Sequence, residues 1–562
     1  MNITDVAELS PDETLNIALD TIKIGKQAII FASSKASCEK TAREIANYLK
    51  KHDLNGKKTE LHEELSQKIL SVLSHPTSQC EKLSDAAKYG IAFHHSGLAY
   101  QQREIIENAF RDGTIKIIVA TPTLAAGVSM PAFRTILKDL KRFSGYGMNY
   151  IPVLEYMQQS GRAGRPEYDT FGEAIMIAKS DKEKDILYDK YVCGAPEEIT
   201  SKLAVEPILR TYVLSLIATN FVKTKPELLD FFKDTFWAHQ FGDFYYLSQR
   251  INSVLNDLIG YGFVEVVNEK DSHIKKEMHI KKENTITKHG DFISATALSK
   301  KENNEEQLRS TLIGTRVSEL YIDPDSANQI IVSLKKAKAY EKETSTQKNT
   351  SDFAYLFMLC QTNELKPRSN LSNKDFELMQ EELLKKDDGE DDGGFITNKI
   401  SQDDDLYYDY LNAFKGAFII DLWCNEFGED FLFEKYNIRP GELNEKISRL
   451  DWLIYGASEL AKLSGKKELI TPLNRLRTRV SYGVKEELLP LLQIKGIGRA
   501  RARKLFNNKL HNIGDLKKID ESVLAHILGA KTAQNIKKQL GQDVKELTKE
   551  IRKDTNNLNS FF

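Results

Sequence analysis

Ile117-Ile118-Val119-Ala120-Thr121-Pro122-Thr123-Leu124-Ala125-Ala126-Gly127-Val128 is the stretch on which the fold turns. Four consecutive apolar residues, rich in β-branched side chains, predict a strand buried on both faces, and the small Thr, Pro and Gly residues after it predict a loop at its carboxyl end. Open α/β sheets place ligands at such strand ends. Downstream, Gln159-Ser160-Gly161-Arg162-Ala163-Gly164-Arg165-Pro166 sets two arginines among two glycines. Glycine lets the backbone come close to a ligand, and a guanidinium holds phosphate oxygens in a planar fork, so the pattern points to a polyphosphate. Alone it could also be a basic turn on any surface. The strand and loop upstream favour the ligand.

These two stretches resemble motifs V and VI of superfamily 2 helicases, and the wording ATPTLAAGVSMPA with QQSGRAGRP is similar to the archaeal DNA-unwinding helicases of the Ski-like group. The resemblance implies ATP and Mg2+ as cofactors. It assigns Arg162 and Arg165 a catalytic reach across a cleft to the γ-phosphate, with Gln159 and Gly127 beside the nucleotide and Thr121 on the nucleic-acid backbone.

Nearer the start, Ala28 to Phe31 reads as an apolar strand, followed by a Ser-Ser turn and a helix with Ala42, Ile45, Ala46 and Leu49 at helical spacing. Ser33 and Ser34 sit where hydroxyls and a helix N-terminus bind phosphate, and simple N-capping explains them as well. The resemblance, here to motif IV, implies backbone contact. The next strand ends in Phe93-His94-His95-Ser96-Gly97-Leu98. Adjacent strand residues point to opposite faces, and no cysteine or carboxylate accompanies the two histidines, which argues against a shared metal ion. The family carries a similar segment beside nucleic acid, which implies that role for His95.

Residues 1–196 thus alternate strand and helix as one RecA-like α/β domain. Between the two motifs, residues 135–151 read as a β-hairpin with a Gly-Tyr-Gly-Met-Asn tip. The resemblance gives it the wedge that parts the duplex, with Tyr146 and Met148 at the tip; a surface hairpin with incidental aromatics is the plain alternative.

A chain of 562 residues exceeds a single core and predicts three to five domains. With 41% hydrophobic and 28% charged residues, no apolar run of membrane-spanning length and no signal-peptide pattern at the start, a cytoplasmic protein without membrane association is the default expectation. The five cysteines lack CxxC spacing and read as buried thiols. A net charge of -2 announces no nucleic-acid partner, so any such site must be local.

Residues 197–312 read as three helices, a strand at Phe263–Val267 and a polar wing over 273–306, which suggests a winged helix. Residues 313–485 are nearly all helical, broken by an acidic, Gly-rich run at 385–394 that reads as a loop. GTRVSELYIDP, KYNIRPGEL and DWLIYGASELA resemble the family's ratchet domain, whose helix, here about Gly441 to Leu463, lies across the path of single-stranded DNA. Trp452 offers a face on which any base stacks, unless it fills the core. Lys446 and Arg449 are candidate phosphate ligands, and Glu445, two turns before the tryptophan, leaves the basic partner open.

Residues 486–545 carry Gly496-Ile497-Gly498 between two helical stretches, a helix-hairpin-helix pattern whose amides receive a DNA phosphate. Arg499, Arg501, Arg503 and Lys504 follow with no acid before Asp515, giving the local basic patch; Gly496, Gly498, Arg499 and Arg503 are the named contacts. A looser second copy spans Leu516 to Leu540, and residues 546–562 read as a tail. The expected fold class is therefore multidomain α/β plus α: a RecA-like domain, a winged helix, a helical ratchet bundle and a helix-hairpin-helix.

A helicase motor also needs GxxxxGK[ST] and an acidic magnesium motif, and the sequence has neither. The resemblance begins at the second RecA-like domain. It leads to the expectation of a split gene product or a shortened chain, with the P-loop and metal ligands on a separate N-terminal helicase subunit. The leading reading is the C-terminal subunit of an ATP-dependent 3′ to 5′ DNA helicase acting on single-stranded and forked DNA in repair or recombination, the polarity implied by the resemblance only. Its rivals are a non-catalytic DNA-binding or regulatory protein that retains the domain as scaffold, and an RNA helicase fragment, which the helix-hairpin-helix disfavours.

Overall fold

Short apolar runs become the strands of one parallel sheet. The computed structural model describes residues 5–52, 60–73, 75–125, 130–143, 147–165, 169–267, 306–338, 349–366, 368, 371–388 and 395–541. Gly127, Tyr146, nearly all of the wing, the Gly-rich part of the acidic run and the tail lie outside these described residues. Two compact units form, one of Met1–Thr200 with Gly428–Lys446, the other of Ser201–Phe427 with Ile447–Phe562.

In the first unit the strands are β1 (Ala28–Phe31), β2 (Ile91–His94), β3 (Ile117–Ala120), β4 (Arg134–Leu137), a hairpin of β5 (Lys141–Phe143) and β6 (Met148–Tyr150), and β7 (Glu173–Met176). The sheet runs β2-β3-β1-β4-β7, all parallel, with Ile29 beside Ile118 on one side and Thr135 on the other. Every residue of β1 to β4 is buried, as strands covered by helices on both faces must be. The covering helices include Glu13–Lys23, capped by Asp12, and Lys35–His52, which turns Ala42, Ile45, Ala46 and Leu49 inward. Arg134 at the head of β4 is buried too, held by Asp20 at 2.6 Å and by Glu173.

An antiparallel hairpin forms, shorter than the expected 135–151 because Thr135–Leu137 belong to β4, with Phe143 opposite Met148 next to the turn. Lys141 stacks over Tyr150 at 4.4 Å and pairs with Glu183, fixing the arms from one side.

The second unit opens with helices Glu206–Ala218, Lys225–Lys233, Phe236–Phe241 and Phe244–Gly260 and the ribbon β8 (Val264–Val267) with β9 (Gln307–Ser310). The first helix starts at Glu206, with Pro207 in its first turn, where proline's fixed φ suits a helix. Thr224 and Glu227 close a capping box on the second. In the helical bundle Asp352–Cys360 is apolar all round, and its residues from Phe353 onward are buried, ringed by Phe395, Tyr410 and Phe414.

The helix-hairpin-helix tandem closes the described chain. Its first arm, expected as a helix, is two 3₁₀ turns, Glu486–Leu488 and Leu491–Gln493, because Pro490 lacks the N–H that an α-turn would use. Helix Arg499–Asn507 follows Gly496, and helices Glu521–Leu528 and Ala530–Gln539 flank Gly529 in the second copy. Four cysteines are buried, but Cys193 is exposed, since it follows the last turn of a helix on the first unit's surface. No helix among the described residues is long and apolar enough to cross a membrane.

Candidate nucleotide and nucleic-acid interface

The arginine loop is fixed by backbone before side chains act. Helix Val153–Ser160 stops at Gly161; beyond it Ala132 N–H donates to Arg162 O at 2.9 Å and Gly164 N–H to Ala132 O at 2.7 Å. Gly164 has a φ of +89°, and a Cβ on Gly172 would lie 2.2 Å from Gly164 N, so both positions require glycine.

Arg162 donates from Nε, at 3.1 Å, and from Nη2 to the Ala125 carbonyl, joining this loop to the one after β3. Arg165 forks onto Asp169 through Nε at 2.7 Å and Nη2 at 3.3 Å, while Nη1 reaches Gln27 Oε1 at 2.7 Å. Gln27 is itself anchored, donating to the carbonyls of Phe110 and Ile115 at 2.7 and 2.8 Å. Gln159 is buried and donates to Glu155 at 3.3 Å, a position that orients the helix entering the loop.

Asp169 was invisible to sequence reasoning, although it lies four residues after Arg165. Its side chain is 1% exposed. The bond from Arg165, working against burial and helped by Lys26 at 2.6 Å, holds its carboxyl at about 2, below the ordinary 3.8. A carboxyl depressed by folding contributes stability that is complete above its unfolded value and is lost as pH falls through its folded one. Acid titration of unfolding should therefore lose on the order of 2 kcal/mol between about pH 4 and pH 2 through this group. Asp169→Asn should lack that component and start less stable at pH 7. An unchanged acid limb in the variant would remove the brace.

Ser33, the His94-His95 pair and Thr121 stand at the carboxyl ends of β1, β2 and β3, adjacent in the sheet. Ser33 is exposed and donates from N and Oγ to Asp139 at 2.9 and 3.0 Å; Ser34 is exposed and its Oγ accepts the Ser37 N–H, which is N-capping of Lys35–His52. Thr121 is buried, its hydroxyl 2.9 Å from that of Thr123.

His95 is enclosed just beyond the end of β2. Expected beside nucleic acid, it is 0% exposed: its Nδ1 accepts the Gly97 N–H at 3.2 Å and its Nε2 lies 3.4 Å from Glu39. His94 faces the other way, 3.0 Å from Glu107. Burial pushes both imidazoles below the ordinary histidine value, so they are neutral packing groups at pH 7. Glu39 also receives Arg439 at 3.3 Å, from the segment that begins helix Pro440–Leu463. There Gly441 N–H donates to Gly97 O at 3.0 Å, and a Cβ on Gly441 would sit 2.2 Å from the Ser96 carbonyl. Lys35 closes onto Glu442 in the same contact.

At the hairpin, Met148 is 63% exposed and its cross-strand neighbour Phe143 is 70% exposed. Sequence reasoning named the methionine and missed the phenylalanine, whose signal was its register opposite Met148.

In the second unit Trp452 is half-buried, and its indole N–H donates to Leu320 O at 3.0 Å. Arg449 donates to the carbonyls of Glu364 and Lys366 at 3.0 and 3.2 Å; it braces a loop in addition to any phosphate role. Lys446, on the same helix, is half-buried and belongs to the first unit.

Gly496, with a φ of +92°, and Gly498 flank the terminal hairpin, and the Gly498 side has no Cβ neighbour within 4 Å, leaving its surface open. Arg499 lies 4.7 Å over the Trp423 ring. Arg503 is clamped by Glu426 at 2.7 and 2.8 Å and by Glu487 at 2.7 Å, because the acid-free stretch around it in sequence is not acid-free in space. The accessible basic groups of the patch are Arg501 and Lys504.

Residues 70–167 match the family described as the helicase conserved C-terminal domain, residues 353–483 archaeal helicase domain 4, and residues 488–542 the SAM-like helix-hairpin-helix tandem. The chain is 34% identical to the ATP-dependent DNA helicase Hel308 of Pyrococcus abyssi, over 96% of its own length and 67% of the relative's. It is 34% identical to that of Methanococcus vannielii, over 95% and 68%, and 35% identical to that of Methanocella arvoryzae, over 96% and 66%. It spans about two thirds of the length of these relatives. With the parallel sheet, the arginine loop and the DNA-binding tandem in one chain, this protein belongs to the Hel308 family of archaeal helicases and corresponds to its C-terminal part.

Proposed function

We propose that this chain is the C-terminal subunit of an ATP-dependent 3′ to 5′ DNA helicase that separates forked or damaged duplexes in repair and recombination, with the P-loop and the acidic magnesium motif supplied by another chain. One observation carries the reading: Arg162 and Arg165 stand on one glycine-fixed loop in a sequence that contains no GxxxxGK[ST]. Guanidinium groups stabilise charge on a phosphate without holding the nucleotide themselves. ATP with Mg2+ fits such a loop as the source of that phosphate. Arg162 and Arg165 would meet its terminal oxygens, with Gln159 and the loop at Gly127 alongside.

DNA would meet the strand ends at Ser33, Ser34 and Thr121, the hairpin at Tyr146, Met148 and Phe143, the ratchet at Lys446, Arg449 and Trp452, and the terminal hairpin at Gly496, Gly498 and Arg499. The capture of Arg165 by Asp169 and Gln27 favours one rival, a non-catalytic DNA-binding protein in which the loop is scaffold. Strand separation distinguishes the two. Mixed with a P-loop subunit, the chain should part a labelled forked DNA duplex and leave a matched RNA duplex intact, and Trp452→Ala should weaken single-strand binding roughly 5- to 150-fold and slow unwinding. A folded Trp452→Ala variant that unwinds at the parental rate would end the stacking role, and a mixture that binds DNA without parting it would leave the scaffold reading.

A further inference from the structure

Helix Leu312–Leu320 ends at Tyr321, whose backbone has a φ of 56° and a ψ of 30°. That left-handed position at a helix end is where glycine or asparagine normally stands, because a β-carbon there crowds the backbone. A tyrosine holds it only when the chain on both sides leaves no alternative. Here both sides are fixed. The Tyr321 N–H donates to Ser318 O at 3.1 Å, and the preceding carbonyl, of Leu320, accepts the Trp452 indole N–H at 3.0 Å. The following residue, Ile322, is 1% exposed and so tight against Gly456 that a Cβ there would lie 2.5 Å from its Cδ1. Asp323 next caps helix Pro324–Lys336 and forks with Arg210.

The side chain on this rigid, strained backbone goes unused by the fold: Tyr321 is 80% exposed. An aromatic ring gives up most of its burial there while its backbone is strained, and both costs fall on a residue one peptide bond from the acceptor of Trp452. We infer that Tyr321 is a second base-stacking platform of the ratchet, holding one base of single-stranded DNA beside the position served by Trp452. The inference rests on the reading of Trp452 as a stacking residue and adds a contact that reading lacks. Stacking needs a π-face and no particular base, so the platform passes a moving strand without regard to sequence. The indole N–H on the Leu320 carbonyl ties the Trp452 helix to the backbone that carries Tyr321.

The test uses the full chain, a fluorescent oligothymidylate and binding read by anisotropy across a salt series. Tyr321→Gly removes the ring and suits the backbone, so it should melt at or above the parental temperature yet bind roughly 5- to 100-fold more weakly. Tyr321→Trp should keep parental affinity. Since no phosphate contact is lost, the slope of log affinity against log salt should be the same in all three proteins. Parental affinity in Tyr321→Gly alongside weakened binding in Trp452→Ala would overturn the second platform and leave the first. Parental affinity in both would overturn the ratchet reading as well. A lowered melting temperature in Tyr321→Gly, or a changed salt slope, would assign the residue a structural or electrostatic role instead.

Discussion

Purified alone, the chain should hydrolyse no ATP; mixed with a subunit that supplies a P-loop and an acidic motif, it should give DNA-stimulated turnover that Arg162→Ala or Arg165→Ala lowers by about 10³–10⁵-fold. The size follows from what an arginine does at a phosphoryl group in transit. Charge spreads over the equatorial oxygens in a site closed to water, and a guanidinium already in place there stabilises it without reorganisation. The loop is built for that fixity. Gly164 against Gly172 sets the backbone and Ala125 holds the Arg162 guanidinium, whereas Arg165 has to exchange Asp169 and Gln27 for the phosphate. Lysine should rescue poorly at either position, because a point charge lacks the two-pronged geometry. Turnover by the single chain, and by the mixture with each arginine changed, decides the matter. Robust hydrolysis by the chain alone would end the shared-site reading, and full activity of the mixture without both arginines would return them to a surface turn.

Arg210→Ala should destabilise the second unit by about 3–5 kcal/mol, the loss expected when one member of a buried ion pair is removed and the other keeps its charge. Arg210 and Asp323 are 8% and 7% exposed and meet through two parallel bonds of 3.1 Å, with Glu206 as a further acceptor at 2.7 Å. The pair joins helix Glu206–Ala218 to the start of Pro324–Lys336. Because Asp323 also caps that second helix, Asp323→Asn keeps the cap while discarding the charge. The double variant Arg210→Ala with Asp323→Asn should accordingly be more stable than Arg210→Ala alone. Denaturant unfolding followed by a probe in this unit gives the comparison, since a chain of several domains does not unfold in one step. A loss under about 0.5 kcal/mol would mean that water reaches the pair in solution and screens it.

The legible parts of the fold were those governed by local rules. Ala28–Phe31 and Ile117–Ala120 announce themselves as strands because burial on both faces demands continuous apolar runs, and Gly-Ile-Gly announces its hairpin because the turn needs the backbone that glycine provides. Arg162 and Arg165 stand out for the same reason, as residue types at a spacing, and the structure adds that they share a glycine-fixed loop. Illegible was everything set by distant partners. His95 looks like a surface ligand until Glu39 and Gly97 enclose it, and Arg503 looks like a free cation until Glu426, 77 residues away, turns toward it. Glu426 manages this from a φ of +69°, a conformation that no sequence pattern marks for a glutamate. Tyr321 and Phe143 escaped notice because exposure is a property of the assembled fold and not of the residue.

The division of the first unit into Met1–Thr200 and Gly428–Lys446 bears on how the chain is born. During synthesis the sheet and its helices emerge ahead of Gly428–Lys446, and about 240 residues follow Thr200 before Gly441 and Glu442 can reach Gly97 and Lys35. At about 5–20 residues per second that interval lasts roughly 10–50 s. Throughout it Glu39 lacks Arg439 and the Gly97 carbonyl lacks the Gly441 donor. Residues 201–427 of the second unit are therefore synthesised between the two segments of the first, which can join only after them.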